Sequence, residues 1–238
     1  MASRAIAFVH TKKIGLVSGT IDAEAQRQLA LKYLEGDGVA VDIEAAIRLL
    51  RSAAELGHAP AQCDLGELYH DGVLVPENYS EATKWYRLAV EQNYAKAMVL
   101  LSSLTGETED NDLPVTVELL TKAANLGYAP AQYRLGVLTE LGVHRSYDFE
   151  AAAILFRLAA DQGHSGAQYH LGMLFFTLSD VETNMSDDVE AVVLFRKAAA
   201  NRHAYAAFRL SQAYAHGLGV EQDAELASKW QNRFEELK

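Results

Sequence analysis

Apolar side chains recur along most of this chain at spacings of three and four, and the recurrence itself comes round about every 36 residues. Ala23-Glu24-Ala25-Gln26 returns as Ala59-Pro60-Ala61-Gln62, Ala129-Pro130-Ala131-Gln132, Ser165-Gly166-Ala167-Gln168 and Ala204-Tyr205-Ala206-Ala207, with Ala95-Lys96-Ala97-Met98 a weaker copy. Six units follow: 23–58, 59–94, 95–128, 129–164, 165–203 and 204–238. Each is long enough for two helices and a turn.

In the first helix the sixth residue after the opening position is always leucine: Leu29, Leu65, Leu101, Leu135, Leu171 and Leu210. A small residue follows each time (Ala30, Gly66, Ser102, Gly136, Gly172, Ser211). Tyr33, Tyr69, Thr105, Thr139, Phe175 and Tyr214 come one turn later on the same face. The small residue predicts a close approach by a neighbouring helix. The second helix is predicted to start at Asp42, Asn78, Asp112, Asp148, Asp187 and Asp223, side chains that accept from the unpaired N–H groups of a first turn. Behind these run a small position, a large apolar one such as Leu49 or Trp85, and usually a small pair such as Ala53-Ala54. Gly57, Gly127 and Gly163 mark helix ends, where glycine accepts the left-handed conformation cheaply. Pro60, Pro130 and Pro114 fall in first turns and Pro76 in a loop, so no proline breaks a predicted helix.

The pattern Ala-x-Ala-Gln-x-x-Leu-Gly-x-x-Tyr, then glycine and valine, an N-cap acid or amide, and Ala-Ala-x-x-Gly, resembles the Sel1-like repeat family, relatives of the tetratricopeptide repeats. Ala61–Tyr69 with Gly72 and Val75 carries it, as does Ala25–Tyr33 with Gly36, Gly38 and Val39. The resemblance implies an all-α chain, a right-handed α-α solenoid of six helix-turn-helix repeats. It also implies a non-enzymatic protein-binding scaffold or adaptor, commonly in assembly or quality-control complexes. The third unit departs from the pattern with an acidic loop at 105–112, and the fifth with a polar segment at 177–187. The last helix, 230–238, is polar and places Phe234 where a following repeat needs a small residue, so the array is expected to end there.

Composition narrows the function. There are 32 acidic side chains against 21 basic ones and a net charge of -11, which argues against a sequence-independent grip on nucleic acid. No apolar run is long enough to span a bilayer. The single cysteine, Cys63, excludes an intrachain disulfide and points to a reducing compartment, the cytoplasm, with mitochondria the alternative. The eight histidines show no metal-binding spacing; His58, His164 and His203 sit at equivalent repeat ends and His70, His144 and His216 near loops. Neither a metal, a cofactor nor a small-molecule ligand is expected, and no catalytic constellation is legible. A hydrolase-like enzyme is the rival reading from another class, with no motif behind it.

In related helical repeats the first helices line the concave surface. By that resemblance the groove residues are Arg27, Leu31, Glu67, Asp71, Tyr133, Tyr169, Met173, Phe176, Tyr205 and Phe208: a polar, acidic half followed by an aromatic one. Rings and methionine suit the capture of a protein or peptide segment. The same side chains suit packing between successive helices equally well, and only their exposure separates the two readings. Units 59–94 and 95–128 carry most of the acidic bias, with six acids against two bases and five against two. Residues 1–22 form a leader or partial cap; residues 1–21 contain Arg4, Lys12 and Lys13 and no acid, a composition faintly like a mitochondrial presequence.

Overall fold

The computed structural model describes residues 22–107, 112–143, 148–179 and 185–238. Residues 1–21 of the leader, His144 and parts of both atypical loops lie outside these residues. Among the described residues there are twelve helices and no strand: α1 (Ala23–Glu35), α2 (Ile43–Glu55), α3 (Ala59–Asp71), α4 (Tyr79–Glu91), α5 (Ala95–Glu107), α6 (Leu113–Asn125), α7 (Ala129–Glu140), α8 (Phe149–Asp161), α9 (Ser165–Ser179), α10 (Met185–Ala200), α11 (Ala204–His216) and α12 (Ala224–Leu237). The chain is all-α, as its periodicity predicts. The helices group into two compact units divided after Leu104. In the first, α1 packs on α2, α2 on α3 and α3 on α4, with α1 also touching α3. In the second, each helix from α6 to α12 packs on the next.

Helix ends follow the capping chemistry. Asp42, Asn78, Asp112, Asp148 and Asp223 each accept from a backbone N–H of the first turn. The sixth predicted cap differs: α10 begins at Met185, so Asp187 lies inside the helix, where its charge meets the positive end of the helix dipole. Gly57, Gly127 and Gly163 take φ near +85° just past their helices, and Asn93 and Arg202 hold the same left-handed position at φ 60° and 62°. Asparagine tolerates that region, whereas an arginine there is strained by about 1–2 kcal/mol.

The small residue after the leucine has a specific partner. An added Cβ at Gly66 would lie 2.5 Å from the Tyr86 ring, at Gly136 2.7 Å from Phe156, and at Gly172 2.7 Å from Phe195. Each glycine thus receives an aromatic ring from the second helix of its own hairpin. Those three rings are fully buried. In the first repeat the equivalent pair is Ala30 with Leu50. Small side chains face medium ones and glycine faces rings, so the summed volume is kept. The third repeat makes an exchange of its own: Thr105 stands where four of the other five repeats carry a ring, and its Oγ1 lies 3.0 Å from Oγ1 of Thr116, itself in the usual alanine position.

Hairpins are joined to one another by the glutamine of the Ala-x-Ala-Gln motif. Nε2 of Gln62, Gln132 and Gln168 donates to the carbonyl of Ala54, Ala124 and Ala160, at the end of the preceding helix, at 3.0, 3.3 and 3.2 Å. Helix C-termini leave such carbonyls short of partners. Oε1 of Gln62 and of Gln132 accepts in turn from Gln92 and Gln162 at 2.8 and 2.9 Å. Gln26 is buried too, but its Oε1 has no partner among the described residues, because Leu56 stands where Gln92 and Gln162 stand later in the chain.

Candidate partner-binding faces

The sequence-predicted site residues fall on the first helices of both units, and each unit presents a different chemistry. In the first, Arg27 of α1 donates through Nε to Asp64 of α3 at 2.6 Å, and Lys96 of α5 donates to Glu67 of α3 at 2.6 Å. Burial on its own would lower the Arg27 pKa, but the hydrogen bond and charge of Asp64 outweigh it and hold the guanidinium more firmly protonated. Glu67 does the same for Lys96. The expected acidic half is therefore largely a ladder of paired charges binding one first helix to the next. Asp71, the last residue of α3, stays exposed, and Leu31 is half-buried. Cys63 is fully buried behind the ladder, and burial pushes its thiol up to about 12.

In the second unit the first helices carry a row of rings. Tyr133 stacks on His164 at 4.5 Å and meets His170 edge-on at 5.5 Å; Tyr169 meets His170 at 5.6 Å and stacks on His203 at 4.6 Å. Rings of tyrosine and histidine therefore alternate from α7 through α9 to the start of α11, all of them half-buried. His170 Nδ1 also lies 3.0 Å from Glu140. Burial raises the Tyr133 pKa and lowers those of His164 and His203, so these rings are held neutral. Met173 and Phe176 lie against the core around Phe195. Phe208 sits 5.3 Å from Phe234 and Tyr205 6.0 Å from it, Tyr205 being 62% exposed.

Sequence reasoning placed the tyrosines on this face but missed what holds them. His164 and His203 are helix N-caps: their Nδ1 atoms accept from the N–H of Ala167 and Ala206 at 3.2 and 3.3 Å, and His58 does the same for Ala61 at 3.3 Å. That geometry fixes the neutral tautomer with its proton on Nε2. The available signal was their common place one residue before each repeat. Asp64 and Lys96 were also missed, since ion pairs between repeats leave no local pattern. Among the described residues no group of three or more His, Cys, Asp or Glu is placed to hold a metal ion. No helix among them is long and apolar enough to cross a membrane.

Comparison with known proteins agrees with this architecture. The Sel1 repeat matches six times, at residues 23–58, 59–94, 95–128, 129–164, 165–203 and 204–230. Chitin synthase regulatory factor 3 of Schizosaccharomyces pombe is 36% identical over 143 residues, covering 56% of this chain and 15% of that protein. The chain thus spans a small fraction of that relative's length. Among solved structures, a Sel1 repeat protein from Oxalobacter formigenes is similar with a TM-score of 0.83 and 26% identity over 91% of this chain and 89% of that one. The immunity protein PA5088 of Pseudomonas aeruginosa shares the fold, with a TM-score of 0.61 and 21% identity over 93% and 84%.

Proposed function

The chain belongs to the Sel1 repeat family, and on that premise we propose that it is a non-enzymatic scaffold whose first-helix faces hold a segment of a partner protein. One observation carries the reading: in the second unit, rings, methionine and the exposed Tyr205 lie on successive first helices beyond what hairpin packing needs. The glycine–aromatic pairs already fill the α7–α8 and α9–α10 hairpins. Tyr205, Phe208, Met173 and Phe176 offer apolar anchoring area, and Met adapts to the shape presented to it. Tyr133 and Tyr169 are half-buried, packed on the neighbouring histidines and on the core, so they act as the floor. The first unit presents a face of its own, where the exposed Asp71 suits a basic side chain of the partner and Arg27, Glu67 and Leu31 shape the surface. The fission-yeast relative's name, chitin synthase regulatory factor 3, is compatible with such a scaffold.

The test uses the most exposed anchor. A photo-crosslinking amino acid at position 205 should join the chain to a discrete partner in cells, and Tyr205→Ala with Asp71→Lys should reduce affinity recovery of that partner. Both positions are exposed, so the melting temperature should stay within a degree or two. Undiminished recovery by the double variant, or no discrete crosslink, refutes the assignment.

A further inference from the structure

The residue just before the repeated leucine of each first helix changes character along the chain. In the second unit it is Arg134 on α7, His170 on α9 and Arg209 on α11; in the first it is Gln28, Asp64 and Leu100. One place earlier in the second unit stand Tyr133, Tyr169 and Phe208. A row of bases thus runs beside the row of rings. The register is common to the three helices, because Leu135, Leu171 and Leu210 are all buried and set the rotation of each. Contacts agree with it: His170 lies 5.5 Å from Tyr133 and 5.6 Å from Tyr169. Burial and Glu140 raise the Tyr133 pKa while the charge of Arg134 pulls it down, which places that guanidinium beside the ring.

Charge is sorted by helix in this unit. α9 and α11 contain no acid, and α7 contains only Glu140, whose carboxylate lies 3.0 Å from His170 Nδ1. The remaining acids of residues 129–238 stand on second helices and in connecting segments. Arg134 is exposed and Arg209 half-buried. Arg209 donates to Gln212 at 2.9 Å, a neutral partner that does not cancel its charge. In a chain of net charge -11 this face is positive. The first unit differs, for there Arg27 is matched by Asp64 and Lys96 by Glu67.

Resting on the scaffold reading above, we propose that the first-helix face of the second unit takes an acidic segment of the partner protein. Its apolar side chains seat on Tyr133, Tyr169, Met173 and Phe208, and its carboxylates reach Arg134 and Arg209. Charge complementarity selects this occupant, and the overall negative charge of the chain disfavours the same segment elsewhere on the surface. A nucleic-acid strand has the right sign but carries it as an unbroken run of phosphates, which the acids of the neighbouring second helices oppose. Tyr133 and Tyr169 both lie within 5.6 Å of His170, a span that an extended segment crosses in about three residues. Acids at every third residue therefore meet successive first helices.

Labelled peptides of equal length test this by fluorescence anisotropy with the whole chain. Glu-Phe-Ser, Gln-Phe-Ser and Lys-Phe-Ser are each repeated about four times, long enough to cross three helices. The Glu peptide should bind at least about tenfold more tightly than the Gln peptide at low salt, an advantage that added salt erodes. Arg134→Glu with Arg209→Glu should abolish that preference and bind the Lys peptide more tightly than the wild type does, a gain that a misfolded chain does not produce. Equal affinity of the wild-type chain for the Glu and Gln peptides overturns the acidic assignment and leaves the scaffold reading standing; binding of neither removes both from this face. A Glu preference that survives the charge reversal, or tighter binding of single-stranded oligothymidine than of the Glu peptide, overturns the proposal as well.

Discussion

Replacing Gly136 by alanine tests whether hairpin volume matching controls stability. The new Cβ would sit 2.7 and 2.9 Å from two ring atoms of Phe156, where carbon atoms settle at about 3.5–4.0 Å. Relief requires the ring to retreat by close to 1 Å. It has little room: Phe156 is fully buried, with His170 at 5.1 Å and Tyr133 at 6.1 Å between ring centres. Overpacking of this kind costs about 1–3 kcal/mol, offset by up to about 1 kcal/mol because alanine favours helix over glycine. The net expectation is a loss of about 1–2 kcal/mol. Phe156→Leu alone leaves a void and loses a similar amount, roughly 1–2 kcal/mol. Together the two changes recreate the alanine–leucine pair of Ala30 and Leu50 in the first repeat. The double variant should therefore be more stable than the sum of the single losses by at least about 1 kcal/mol. Urea denaturation followed by far-UV ellipticity measures all four proteins, with thermal melts as a check on cooperativity. Additivity within about 0.5 kcal/mol would refute the matched-volume account.

Acidification should weaken the second unit. Burial lowers the native pKa values of His164 and His203, so the unfolded chain takes up their protons first; the stabilisation is complete above about pH 6.5 and is lost as pH falls from there through the lower native values. Native-state hydrogen exchange at the starts of α9 and α11 should accelerate over that window, and exchange independent of pH beyond the intrinsic chemistry would contradict it. Arg202→Gly should raise stability by about 1 kcal/mol by relieving a left-handed arginine, while Asn93→Gly should gain less, as read by thermal melts. Tyr86→Phe should be neutral or slightly stabilising, because its buried hydroxyl has no hydrogen-bond partner among the described residues; a loss above about 1 kcal/mol would reveal one. Cys63, buried and with its thiol pushed up to about 12, should resist iodoacetamide at neutral pH until the first unit is unfolded, as followed by mass spectrometry.

Much of the fold was legible because it rests on local chemistry. The leucines and the small residue beside each are read from spacing alone, and five second-helix caps need only an Asp or Asn before an apolar run. The sixth failed because the fifth repeat lengthens its second helix at the N-terminal side, which no capping rule registers. The candidate faces were only half legible. Helical spacing could place Tyr133 and Tyr169 on first helices, but their histidine partners lie about thirty residues further on, and the Arg27–Asp64 pair joins residues 37 apart. Histidine as a helix cap was missed because the ring's role depends on which nitrogen carries the proton.

The glycine–ring match and the glutamine tie divide the inheritance of this architecture in two. Because each ring is fitted to the glycine of its own hairpin, a first helix transplanted from one repeat beside a second helix from another would collide or leave a hole. The glutamine, by contrast, asks of its neighbour only a main-chain carbonyl, which every hairpin offers whatever its side chains. Whole hairpins that carry the glutamine are thus interchangeable bricks, and half-hairpins are not, so gene duplications and deletions that keep register with such hairpins are the ones this chain could survive.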